Sequence, residues 1–361
     1  MASHGVARPS QSRTADQRLK DLEKIKKYRD LEERVRCEAR ANVESPELVQ
    51  LTSKLLRLNP EYYTVWNIRR VALTSSVLSG RKGSVNDTER KTAEDNDLGI
   101  LQSELSFTIP LLIESPKCYW IWNYRRWVLQ QAIDRLEPSV ARKIWEEELG
   151  LTSKMLTKDR RNFHAWGYRR FVVKRLESSE LNGQSLVETE FEYTYKMIRV
   201  DLSNFSAWHN RSKLIPRLLE ERGAGDQERR DFYDEELARI HEALNVGPED
   251  QSLWFYHQFL VSNLTTSVGP TAITPNFTIE DRIAYLTREL QVVADFLEDY
   301  NDIKWIYEAL LEYTLSLCQL QQRDLDVEER RDLQAWLTKL RSLDPMRNGR
   351  WEDMERDVAL A

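Results

Sequence analysis

The stretch Ser115–Leu129, SPKCYWIWNYRRWVL, decides how the chain folds. Its core, Tyr119–x–x–Trp122–x–x–Arg125–Arg126, returns along the chain. The copies are NPEYYTVWNIRR (Asn59–Arg70), DRRNFHAWGYRR (Asp159–Arg170), DLSNFSAWHNRS (Asp201–Ser212) and GPEDQSLWFYHQ (Gly247–Gln258), centred on Trp66, Trp166, Trp208 and Trp254. Weaker echoes surround Trp305 and Trp351. Steps of roughly 42 to 56 residues fall in the range of helix-pair repeats.

Within one copy, Tyr119, Trp122, Arg126 and Leu129 recur at helical spacing and so share a face. Seven residues before the tryptophan stands Asn59, Ser115, Asp159 or Asp201, types whose side chains cap a helix start. Pro60, Pro116 and Pro248 follow, as suits a first turn. Each motif helix is preceded by an amphipathic segment: Leu48–Leu58, Leu98–Ile113, Ala141–Leu156, Val187–Val200 and Phe232–Leu244. One such pair cannot bury its apolar stripe alone, so successive pairs must stack. The expected fold is all-α, with residues 1–14 a mobile tail and residues 15–361 a single repeat domain. A charged helix from Asp16 to about Ala41, with Leu19, Leu22, Ile25, Leu31 and Val35 near one stripe, reads as its cap. Ser79–Asp97, Glu221–Asp226 and Thr265–Asn276 read as loops between helices, and Glu298–Asp302 as a helix end with a wet turn.

Composition excludes several function classes. Hydrophobic residues at 41% with 11 tryptophans suffice for a core between helix layers. A net charge of −6 with both signs interspersed offers no basic stripe for nucleic acid. Cys37, Cys118 and Cys318 are dispersed and odd in number, which reads as a reduced, cytoplasmic chain. No membrane-spanning run appears. The histidines His4, His164, His209, His241 and His257 form no pair at ligand spacing on a helix, so no metal site is expected within the chain.

A residue present in every copy serves what every copy needs. Trp66, Trp122, Trp166, Trp208 and Trp254 are therefore read as core, and Arg69, Arg125, Arg169 and Arg211 as inter-helix ion-pair or carbonyl-binding groups. The positions that vary carry more information. Five residues before the tryptophan the copies read Glu61, Lys117, Arg161, Ser203 and Glu249; two before it, Thr64, Trp120, His164, Ser206 and Ser252. Lys117, Arg161 and His164 thus gather positive charge and donors at two successive helix starts, where an anion is already favoured. Read from the residues alone, the plainer account of Lys117 is a solvated surface lysine.

The copies PKxYxxW (Pro116–Trp122), RNFHAWGYRR (Arg161–Arg170) and SNFSAWHNRS (Ser203–Ser212), together with DQSLWFYH (Asp250–His257), resemble the repeats of protein prenyltransferase α subunits, and most of all the type II (Rab) geranylgeranyltransferase branch in its compact fungal-type form. The resemblance runs from about Asp16 nearly to the end. It implies a right-handed superhelical α–α solenoid, a crescent wrapped around a β subunit in an obligate heterodimer. The β subunit would hold the catalytic zinc, which lowers the pKa of a cysteine near the C-terminus of a Rab GTPase of vesicular transport; an escort protein would present that Rab. The thiolate would attack C1 of geranylgeranyl diphosphate. Lys117 matches the family's diphosphate-stabilising lysine, Tyr119 and His164 match catalytic positions beside it, and Arg161 and Phe163 match substrate-binding positions, the family's tyrosine standing here as Phe163. His4 is the candidate for a regulatory zinc ligand reaching the partner. Two other readings remain: the α subunit shared by farnesyltransferase and type I geranylgeranyltransferase, and a non-enzymatic tetratricopeptide-like scaffold, against which the irregular step and the Trp–x–x–Arg core speak.

Overall fold

The computed structural model describes residues 14–79, 87–265 and 272–360; His4 lies outside them. The described residues are helical and contain no strand, and the architecture is an α–α solenoid of helix-pair repeats. Among the described residues, no helix is long and apolar enough to cross a membrane. Contacts divide the chain into two compact units, Met1–Ser185 and Leu186–Ala361.

The first unit contains α1 (Ala15–Ala41), then the pairs α2 (Pro46–Leu58) with α3 (Tyr63–Ala72), α4 (Asp87–Glu114) with α5 (Tyr119–Arg135), and α6 (Pro138–Lys158) with α7 (Phe163–Leu176). Helix α1 begins on a capping box between Thr14 and Gln17. At 1.5 Å per residue it is about 40 Å long and α2 about 20 Å. Val35 is buried against this shorter neighbour, whereas Leu19, Leu22 and Ile25 of the expected stripe stay exposed. The expected loop Ser79–Asp97 is shorter than its polarity suggests. Residues 87–97 already belong to α4, and the buried Asp97 accepts hydrogen bonds from the Ser79 backbone N–H and hydroxyl.

The second unit pairs α8 (Val187–Val200) with α9 (Phe205–Glu221), α10 (Asp226–Val246) with α11 (Gln251–Thr265), α12 (Ile279–Asp299) with α13 (Lys304–Gln321), and α14 (Val327–Leu343) with α15 (Asn348–Leu360). In α13 the tryptophan register is held by Tyr307, not Trp305. Its hydroxyl donates to the Asn301 carbonyl six residues earlier at 2.8 Å, the bond that the indole makes in every full copy.

Each unit is laced by buried polar rungs. Arg69 on α3 donates to both carboxylate oxygens of Glu104 on α4 at 2.7 Å, and through its third nitrogen to Val49, Thr52 and Ser53 of α2. Arg125 on α5 grips Glu148 on α6 in the same way at 2.7 and 2.5 Å and binds the Leu105 carbonyl and Thr108 behind it. Tyr124 and Tyr168 each give their hydroxyl proton to the same carboxylate, Glu104 and Glu148 respectively. In the second unit Arg211, Glu236 and Tyr256 repeat the set. Stripping a guanidinium and a carboxylate of water is costly, and these rungs meet the cost by bidentate geometry and by satisfying the remaining donors. Burial, and then the adjacent carboxylate, push the phenols of Tyr124, Tyr168 and Tyr256 well above their ordinary range, so each stays a donor.

Candidate functional site

The turns that open the motif helices share one indole tether, and they are not built as the cap pattern predicts. Asn59, Asp159 and Asp201 close the preceding helices α2, α6 and α8, while the motif helices begin four residues later at Tyr63, Phe163 and Phe205. Asn162 and Asn204 do the N-capping in two of them: Asn162 accepts from the His164 and Ala165 N–H groups, Asn204 from that of Ala207. The cause is the tryptophan. Its indole N–H reaches back six residues to a turn carbonyl: Pro60, Pro116, Arg160, Leu202 or Pro248, at 2.6 to 3.0 Å. A carbonyl inside a helix would already be committed to the backbone, so the helix must start after it.

This tether positions Lys117. The Pro116 carbonyl accepts both from Trp122 Nε1 at 3.0 Å and from Asn162 Nδ2 at 3.1 Å, which ties the α5 turn to the α7 turn. Next to Pro116, Lys117 places Nζ 3.7 Å from Asp159 Oδ2, with both side chains more than a third exposed. A pair this wet holds weakly. Tyr119, half exposed, opens α5; its ring lies 6.5 Å from that of His164 on α7. Phe163, 67% exposed, lies tilted against His164 with ring centroids 4.0 Å apart. Arg161 is exposed in the same turn as Phe163. Partial burial lowers the His164 titration, Glu61 opposes that, and Lys117 lowers it further, so Lys117, Glu61 and His164 feel one another electrostatically. Of the four residues read as sharing a face, Trp122 and Leu129 are buried, Tyr119 is half exposed and Arg126 half-buried, while Arg125, one residue earlier, is the buried arginine.

Chemically, the turn offers an ammonium, an imidazole kept neutral near pH 7, and a phenol, on a rigid frame and open to solvent. Such a set suits developing negative charge on phosphate oxygens. It does not suit zinc. Burial pushes the Cys118 thiol up to about 11, and that thiol donates to the Pro60 carbonyl. Among the described residues, His164, Glu61 and Asp159 do not converge as a set of metal ligands.

A second cluster escapes sequence reasoning because its members stand on three helices. His257 on α11 occupies the rung position that Arg69, Arg125 and Arg211 hold elsewhere. Its Nε2 lies 2.9 Å from Glu289 Oε2 on α12, and His241 Nε2 on α10 lies 2.7 Å from the same oxygen. The Tyr313 hydroxyl on α13 meets His257 Nδ1 at 2.9 Å. Burial alone would raise the Glu289 carboxyl; hydrogen bonds from His241 and His257 outweigh it and bring it to about 2.

Five segments, residues 46–76, 101–132, 145–176, 187–218 and 233–264, match the protein prenyltransferase alpha subunit repeat. The chain is 33% identical to the geranylgeranyl transferase type-2 subunit alpha of Schizosaccharomyces pombe, over 98% of each protein. A shorter stretch is 42% identical to the protein of the same name from Candida albicans, over 36% of this chain and 33% of that one. A chain of Candida albicans protein geranylgeranyltransferase-I, solved in complex with GGPP, superposes with a TM-score of 0.62 at 20% identity, over 92% of this chain and 91% of that chain; at such identity the likeness is one of fold alone.

Proposed function

The chain belongs to the family of geranylgeranyl transferase type-2 alpha subunits, and from that premise we propose that it is the α subunit of a heterodimeric Rab geranylgeranyltransferase, active only with its β subunit in the cytoplasm. The end-to-end likeness to the Schizosaccharomyces pombe subunit is the observation that carries this reading. Geranylgeranyl diphosphate is the lipid donor, Rab cysteines are the acceptors, and an escort protein presents the Rab. Zinc is assigned to the β subunit, where it supplies an activated thiolate.

This chain's part is electrostatic. Lys117 stands where it can meet the departing diphosphate, whose charge grows as the bond to C1 breaks, so its contact is worth more in the transition state than in the ground state. Tyr119 and neutral His164 add hydrogen-bond donors to the same oxygens. Arg161 and Phe163 flank them, the first adding charge and the second a lipid-compatible wall. The weak Asp159 pair keeps the ammonium oriented without holding it. His4 is assigned to the partner's zinc when substrate is absent.

The test reconstitutes the chain with its β subunit and offers two acceptors, a Rab–escort complex and a short peptide ending in a CaaX box. Transfer to the Rab–escort complex alone supports the reading. Transfer to the peptide alone would move the chain to the farnesyl and type I branch, and no transfer to either would leave a scaffold.

A further inference from the structure

We propose that His241, His257 and Glu289 form a zinc-class metal site inside the second unit, linking α10, α11 and α12.

The repeats supply an internal control. Three rungs read alike: arginine at the tryptophan-plus-three position, threonine or serine on the helix behind, glutamate on the helix ahead, tyrosine closing the set. At the rung after Trp254 the set changes in three places at once. Arginine becomes His257. The shared threonine (Thr52, Thr108 or Thr194) becomes Ile240, and His241 follows it at a position that reads Ser53, Ile109 and Tyr195 in the other rungs. The closing tyrosine moves to Tyr313, four residues beyond Ala309, and bonds the histidine rather than the carboxylate. Only the glutamate, Glu289, is kept. The changes remove a guanidinium and bring in two imidazoles beside a carboxylate.

The geometry fits a metal. The ligand atoms of all three residues lie within 4.8 Å of one another. In tetrahedral coordination at about 2.0–2.1 Å, ligand atoms stand about 3.3 Å apart. The two Nε2–Oε2 separations, 2.7 and 2.9 Å, need to open by only about 0.5 Å to reach that spacing. Glu289 and His257 are fully buried, and His241 retains 22% exposure, which gives an ion a way in from solvent and no room for a substrate. The second carboxylate oxygen, Glu289 Oε1, is buried without a hydrogen-bond partner among the described residues, and Arg288 Nε lies 3.6 Å from it. Tyr313 supplies the outer support that metal-bound imidazoles need, receiving the Nδ1 proton when Nε2 turns its lone pair to the ion. Two nitrogens and a carboxylate oxygen suit zinc among divalent ions, and magnesium or calcium poorly. The enclosed position makes the ion a staple of the second unit, in the role that guanidinium plays in the other rungs.

The experiment uses the full chain purified with its partner subunit, treated with chelator and dialysed against zinc alone. Zinc per complex is then measured for the wild type, His241→Ala and Glu289→Gln. The expected result is one equivalent more in the wild type than in either variant, a difference insensitive to zinc held by the partner. The expected melting temperature of the wild type rises more with zinc than that of the variants. Equal zinc content in the wild type and His241→Ala overturns the proposal. Should the variants not assemble, anomalous diffraction at the zinc edge from wild-type crystals decides: a peak bonded to the three ligand atoms is expected, and its absence overturns the site.

Discussion

The buried face of α5 and the turn that precedes it obey different rules. Arg125 lies in a rung that is repeated in kind at Arg69 and Arg211, sealed from water and satisfied at every nitrogen. Lys117 stands in the turn just before the same helix, half wet, in a position that reads glutamate, arginine or serine in other copies. The backbone of the turn is as fixed as the rung, because the Pro116 carbonyl is held twice. A position that is fixed in backbone and variable in residue type is where a repeat protein can acquire chemistry without endangering its fold.

The comparison breaks first at the rungs. Glu148→Ala leaves the Arg125 guanidinium buried without its partner and should cost about 3–5 kcal/mol in urea unfolding, whereas the paired change Arg125→Met with Glu148→Leu should cost far less. A loss below about 1 kcal/mol for Glu148→Ala would mean the rungs are ornamental, given surface pairs of that size. Tyr256→Phe removes one hydrogen bond to the buried Glu236 carboxylate and should cost about 1.5–3 kcal/mol by the same measurement.

The turn should behave in the opposite way. Lys117→Ala is expected to slow single-turnover transfer by on the order of tenfold or more, about 1.4 kcal/mol of barrier, with stability unchanged within about 0.5 kcal/mol. Unaltered transfer would remove the ammonium from the chemistry. The smallest effect is also the sharpest. His164 titrates below its ordinary value, through burial and then Lys117, with Glu61 opposing. The neutral form is therefore the one the fold favours: this contribution to stability is complete above the ordinary histidine pKa and fades as pH falls through the lowered one. In an NMR titration of the imidazole, Lys117→Ala should move the midpoint up and Glu61→Gln should move it down. A midpoint indifferent to both would separate His164 from the lysine.

The repeat was legible because a tryptophan is rare and each copy needs one. The arginines were legible in kind for the same reason, but their glutamates were not. Glu104, Glu148 and Glu236 stand 35, 23 and 25 residues from their arginines, and no fixed interval marks them. The helix starts were displaced by three residues because an indole bond to a turn carbonyl leaves no trace in propensity. Asp87–Asp97 looked like loop because its polarity hides a helix whose Asp97 is buried to hold Ser79. The site around Lys117 was legible as an exception to the repeat, and its closeness to His164 followed from two neighbouring copies. The cluster at Glu289 was illegible, since its histidines lie 48 and 32 residues away along the chain.

The indole tether has a consequence for engineering. Each tryptophan fastens a carbonyl six residues upstream within its own copy, so the path of the turn is set locally, and the Pro60 and Pro116 carbonyls then receive one further bond each from the next copy, from Cys118 and Asn162. Residues 60–66, 116–122 and 248–254 should therefore be transplantable among themselves. A chain carrying the 116–122 segment at a second site would present a second lysine at a known height, and the spacing between two such cations would become a dial for choosing which polyanion the surface receives.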